Sequence, residues 1–247
     1  MNAIKAIFTK QLNDVFKNPT VTMMFIMFPA MAFVMVEFIS DGTVSAFQQI
    51  LSMAVMSIGS MPLVAIASYI AEDVEHRSLR FLVMAGVKPT QYLSGLAIFV
   101  LILSMAAMLI FGFIGRLSGA DFGLFMGISL IGCLASLILG AVVGIFSKNV
   151  QQANTYATVL MMLIGFTPMF GLFNPEMIRY TYFLFTQQIW LILMYIAQGG
   201  GEYALGLFAD LDVHFEVMHS ILIILGNIVV LTGLFAFVYK KKGLKGE

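Results

Sequence analysis

Residues 122–146, FGLFMGISLIGCLASLILGAVVGIF, run for 25 positions without one charged side chain. A helix rises about 1.5 Å per residue, so this stretch is long enough to cross a hydrocarbon layer roughly 30 Å thick. A helix on the surface of a soluble domain would carry a polar stripe along one side. Here the breaks in the apolar run are small residues instead. Gly132, Ser136, Gly140 and Gly144 are each four apart and share one helical face. Small side chains on one face let a second helix approach closely. The stretch therefore predicts a membrane span packed tightly against another. Its Cys133 is the only cysteine, which excludes an intramolecular disulfide and a cysteine metal cluster.

The rest of the chain agrees with this reading. Of 247 residues, 60% are hydrophobic and 11% charged, with a mean hydropathy of +0.97. Such a composition suits a bilayer rather than one water-soluble core. Six runs are long enough to span: 21–39, 47–71, 93–114, 122–146, 153–173 and 217–238. The first is too long for a signal-peptide core and is read as a retained span. With the N-terminus inside, Lys5, Lys10, Lys17, Arg77, Arg80, Lys88, Lys148, Lys240, Lys241, Lys242 and Lys245 are cytoplasmic. Only Arg116 and Arg179 remain outside, and the excess of basic loops inside sets the orientation.

The run 183–197, FLFTQQIWLILMYIA, is shorter and contains Gln187 and Gln188. Were it to cross, the C-terminal lysines would be expelled and the charge bias erased. It is read as a re-entrant or interfacial helix at the outer face, with Trp190 and Tyr195 at the boundary. The expected architecture is therefore an all-α, six-span single domain over 1–247, both termini cytoplasmic, in the plasma membrane of a bacterium.

Three segments lie outside the spans on the cytoplasmic side. In 1–18, Ile4, Ile7, Phe8, Leu12, Val15 and Phe16 recur at helical spacing, predicting an amphipathic helix lying on the membrane. The loop 72–89, EDVEHRSLRFLVMAGVKP, places acidic residues first and basic ones after, as a helix dipole favours. A short helix across the inner face is expected, with Asp73 and Arg77 sharing a side and Gly86 and Pro89 ending it. The third segment, 147–152, SKNVQQ, is short and polar.

Catalytic patterns are missing from the sequence. No G-x-x-x-x-G-K-[ST], H-E-x-x-H or G-x-S-x-G occurs, so neither a P-loop nor a metalloprotease or hydrolase motif is present. His214 and His219 are five apart and do not share a helical face. No ionisable side chain sits mid-span, where ion-coupled carriers place their relays. Asn227, a neutral polar residue at depth, is read as a bond to a neighbouring helix.

The N-terminal helix, six spans, the loop EDVEHRSLRFLVMAGVKPTQYLSG and an outer segment before the last span together resemble the type-two family of ATP-binding-cassette (ABC) exporter permeases. The resemblance implies that 72–89 is a coupling helix seated on a separate ATPase subunit, through Glu72, Asp73, Glu75, Arg77, Leu79 and Leu82. It implies a second contact through Lys148, Asn149 and Gln151. It also implies an outer gate at Gln187, Gln188 and Trp190. Two permease chains, identical or homologous, and two ATPase chains are implied, with ATP and Mg held by the ATPase and no cofactor in this chain.

The leading expectation is a permease exporting an amphipathic or apolar substrate such as a peptide, drug or lipid-like molecule. Within the family, a wall polymer or glycolipid is the alternative cargo. Outside it stand a secondary carrier or channel and a non-transporting scaffold or immunity protein. Nucleic acid is not an expected partner.

Overall fold

The computed structural model describes residues 3–14, 19–39, 46–78, 84, 86–117, 119–174, 176–197 and 216–242. In chain order the elements are α1 (Ala3–Asp14), α2 (Pro19–Val34, extended by a π-helical stretch, Met35–Ile39), α3 (Ala46–Glu75), α4 (Pro89–Ile114) and α5 (Gly119–Phe146). There follow α6 (Val150–Leu160), a π-helical stretch (Met161–Gly165), α7 (Thr167–Phe173), α8 (Glu176–Thr181), α9 (Phe185–Ala197) and α10 (Val217–Lys242). No strand occurs among the described residues.

Helix α3 is the axis of the bundle. Every residue from Ile50 to Ala71 is buried, with α2, α4, α5, α6 and α9 packed around it. A helix surrounded on all sides must be apolar all round but also narrow enough for its neighbours. Ala54, Ser57, Gly59, Ser60, Ala65, Ala67 and Ser68 supply the narrowness. The small-residue ladder of α5 faces it. A methyl group on Gly140 would lie 2.3 Å from the carbonyl oxygen of Leu63, and one on Gly144 would lie 2.8 Å from Ile70 Cβ. On Gly132 it would meet both Ile58 and Ile189 at 2.5 Å.

Four helices are long and apolar enough to cross a membrane: Gln48–Glu75, Pro89–Ile114, Gly119–Phe146 and Val217–Lys241. The other two expected spans are interrupted. The first contains Pro29 and ends in its π-helical stretch. The run 153–173 breaks in mid-course because Pro168 has no N–H for the carbonyl of Ile164, four residues earlier. Threonines satisfy the freed groups instead: Thr167 Oγ1 donates to Leu163 O at 2.8 Å, and Thr186 Oγ1 of α9 donates to Ile164 O at 2.6 Å. Broken helices persist at membrane depth where such side chains replace the lost backbone bonds. Gly59 and Gly165 meet at this break, for a methyl group on Gly59 would lie 2.7 Å from Gly165 Cα.

The N-terminal helix does not simply float on a surface. Gly95 of α4 gives it a seat: a methyl group there would sit 3.1 Å from Ile7 Cβ and 3.2 Å from Ile4 O. Phe8 meets Phe99 edge to face at 5.8 Å. Ile7 and Gln11 are buried in this contact while Leu12 is exposed, so the inward side is turned toward α4. Val15 and Phe16 lie outside the described residues.

Candidate functional site

One end of the bundle collects α1, the end of α3, the start of α4 and the α5–α6 turn. There the local structure differs from the sequence expectation. Glu72, Asp73 and Glu75 are the last turn of α3, not the first turn of a separate helix. Arg77 breaks the helix with φ 55°, a left-handed conformation uncommon outside glycine, so the Asp73–Arg77 helical pairing does not form. Ser78 and Met84 are helical, while Leu79, Arg80 and Leu82 lie outside the described residues. Gly86, at φ 77°, turns the chain, and Pro89 opens α4.

Carboxylates at a helix C-terminus face its partial negative charge, which disfavours them. The neighbours offset this. Asp73 is turned inward rather than toward the surface, with 4% of it exposed. Lys10 Nζ of α1 donates to Asp73 Oδ1 at 2.9 Å, and Ser78 Oγ donates to the same oxygen at 2.5 Å. Tyr92 OH of α4 donates to Oδ2 at 2.7 Å. One carboxylate thus ties together α1, the end of α3, the residue that follows the break, and α4. Of the residues expected at the contact, Glu72 is half-buried and Glu75 and Arg77 are exposed, while Asp73 is inside.

Glu75 reaches the other loop. Its Oε2 accepts the backbone N–H of Val150 at 2.8 Å, at the N-terminus of α6, where a helix dipole favours an anion. Asn149 caps that helix, its Oδ1 accepting the N–H of Gln152 at 2.8 Å. Lys148 and Gln151 are exposed beside it. An open cleft of about 780 Å³ lies here, lined by Glu75, Asn149, Gln151, Asn154, Thr155 and Thr158 among others. Ser68 Oγ donates to Asn154 Oδ1 at 2.6 Å and fixes the wall of the cleft to α3.

The segment before the last helix is packed inside the bundle. After α8 the chain turns at 182–184, and α9 is buried from Phe185 to Met194 between α3, α5 and α10. Trp190 is fully buried, and its Nε1 donates to Ser52 Oγ of α3 at 3.0 Å. Gln188 Nε2 donates to the carbonyl of Tyr182, closing the turn. Gln187 is also fully buried. Asn227 bonds this turn, donating to Phe183 O at 2.9 Å. Helix α9 is thus packed against protein along its length from Phe185 to Met194.

Sequence reasoning missed Lys10, Ser78 and Tyr92 as partners of Asp73, and Val150 as the partner of Glu75. The described residues bring together no group of three His, Cys, Asp or Glu side chains able to hold a metal ion.

This arrangement of a central buried helix, a seated N-terminal helix and two joined loops accompanies a decisive match. The sequence model of ABC-2 family transporter proteins covers residues 1–238. The chain belongs to the ABC-2 transporter family. No curated protein matches the chain. As an ABC-2 family protein it is a multi-pass membrane protein and a permease of the ABC transporter class, a membrane transport subunit of a kind that normally works with an ATPase.

Proposed function

We propose that this ABC-2 permease is the membrane half of an exporter driven by a separate ATPase subunit, which docks on the end formed by 72–89 and 148–152. The observation that carries this reading is the bond from Val150 N–H to Glu75, which joins the two expected docking segments into one surface. A partner seated on one of them is thereby also against the other. Glu72, Glu75, Arg77, Leu79 and Leu82 form the main contact and Lys148, Asn149 and Gln151 the smaller one. Asp73 holds the surface from behind.

In this reading the whole chain is one permease domain with six spans, the interrupted helices α2 and α6–α7 counting as two of them. Both termini face the cytoplasm of a bacterial plasma membrane. Two copies, or two homologous chains, pair with two ATPases, and ATP with Mg is bound and hydrolysed there. ATP binding biases the permease toward an outward-open state, a population shift by differential affinity. The re-entrant α9, with Gln187, Gln188 and Trp190 packed inside the bundle, forms part of the outer gate. The substrate is amphipathic or apolar, because the spans offer Met, Phe and neutral amides rather than charges.

The test is charge reversal at the surface with the buried anchor intact. Glu72→Lys with Glu75→Lys abolishes co-purification of the ATPase and its stimulation by the permease. Unchanged binding and stimulation would sink the docking assignment.

A further inference from the structure

The two carboxylates that remain at the surface are enough to recognise a partner, yet the most heavily bonded group of the region is the one that is hidden. Asp73 receives three side-chain donors from three different segments: Lys10, Ser78 and Tyr92. Such a group is not free to move with only one of them. Displacing α1, α4 or the chain after Arg77 breaks a charge-assisted bond, and breaking a bond to a buried carboxylate leaves it under-solvated. Lys10 is itself half exposed, with 47% of its side chain accessible, so the link reaches from the interior to the outer side of α1. The seat of α1 on Gly95 and the Phe8–Phe99 contact keep its other side against α4.

We propose that Asp73 is a positioning residue for coupling: it clamps the N-terminal helix α1 to the break after α3, so that a displacement of the docking loop is passed to α1 and α4 together. This rests on the docking reading above, and it adds a path by which the loop's movement enters the membrane domain. α1 is then part of the moving unit rather than a passive anchor.

The experiment uses the permease co-expressed with its cassette ATPase and reconstituted in nanodiscs, with Thr9→Cys carrying a fluorescent maleimide. Thr9 is exposed on α1, and the native Cys133 is buried. ATP addition shifts the signal of the label in the otherwise unchanged complex. In Lys10→Met, Tyr92→Phe and Asp73→Asn the ATPase still co-purifies, but the shift falls about fivefold, within the range by which substitutions in a coupling network act. Lys10→Arg restores the shift, and Lys10→Met combined with Asp73→Asn loses no more than either alone.

An unchanged shift with the ATPase retained would overturn the clamp and leave the docking reading standing. Absence of the ATPase from the unsubstituted preparation would overturn the docking reading and the clamp with it. A lowered melting temperature and loss of ATPase in Lys10→Met and Tyr92→Phe, with a full shift in the complex that survives, would show a purely structural bond and also overturn the clamp.

Discussion

At Gly140 an added methyl group would lie 2.3 Å from the Leu63 carbonyl oxygen, with backbone rather than a flexible chain end in the way. Gly140→Ala is therefore expected to cost about 1–3 kcal/mol, the usual range for overpacking. Thermal unfolding of the purified permease measures this as a lowered midpoint. Gly127→Ala and Gly226→Ala, where nothing lies within 4 Å, leave the midpoint unchanged or slightly raised. The face carrying Gly132, Ser136, Gly140 and Gly144 was legible in the sequence because four-residue spacing places side chains on one helical face. Its partner α3 was not, since a ladder states that something packs closely but not what. Asp73 shows the opposite limit. Its neighbours in sequence are charged and suggest a solvated stretch, while the residues that bury it, Lys10 and Tyr92, are 63 and 19 positions away.

Among the elements, the clearest signal that the sequence held and the periodicity concealed is Pro168. A hydropathy run from 153 to 173 reads as one span, but a missing N–H inside it interrupts the ladder and leaves a carbonyl for Thr186 of α9. Thr186→Val removes that donor, leaves Ile164 O one partner fewer and lowers the melting midpoint, a change of about 1 kcal/mol. Val150→Pro isolates a second link. Val150 is the first residue of α6, where proline is tolerated, and Asn149 before it is extended, as a residue preceding proline prefers. The substitution deletes the N–H that Glu75 accepts and spares the helix. Weakened ATPase retention with an unchanged circular dichroism spectrum is the expected result. The start of the 72–89 loop was misread for a physical reason: acidic residues followed by basic ones suit a helix N-terminus, yet α3 runs on through Glu75. It carries its carboxylates at the unfavourable end because Lys10, Tyr92 and the α6 N-terminus compensate them.

For the molecule as a whole, the apolar runs disclosed a membrane protein and the loop pattern disclosed the family. Burial disclosed that α3 is central and that α9 dips into the bundle. Topology makes a direct prediction: in right-side-out vesicles with Cys133 replaced, single cysteines at Arg116 and Arg179 react with an impermeant maleimide, and those at Lys5, Lys148 and Lys240 react only after permeabilisation. The opposite pattern would contradict the orientation set by the basic loops. The central claim is that an ATPase seated across Glu72, Glu75 and the α6 N-terminus powers this permease. Co-purification of the ATPase, with its hydrolysis rate measured beside the unsubstituted permease and beside Glu72→Lys/Glu75→Lys, tests it most directly. The account predicts a stimulated ATPase in the first complex and none bound in the second; equal binding and equal stimulation in both would contradict it.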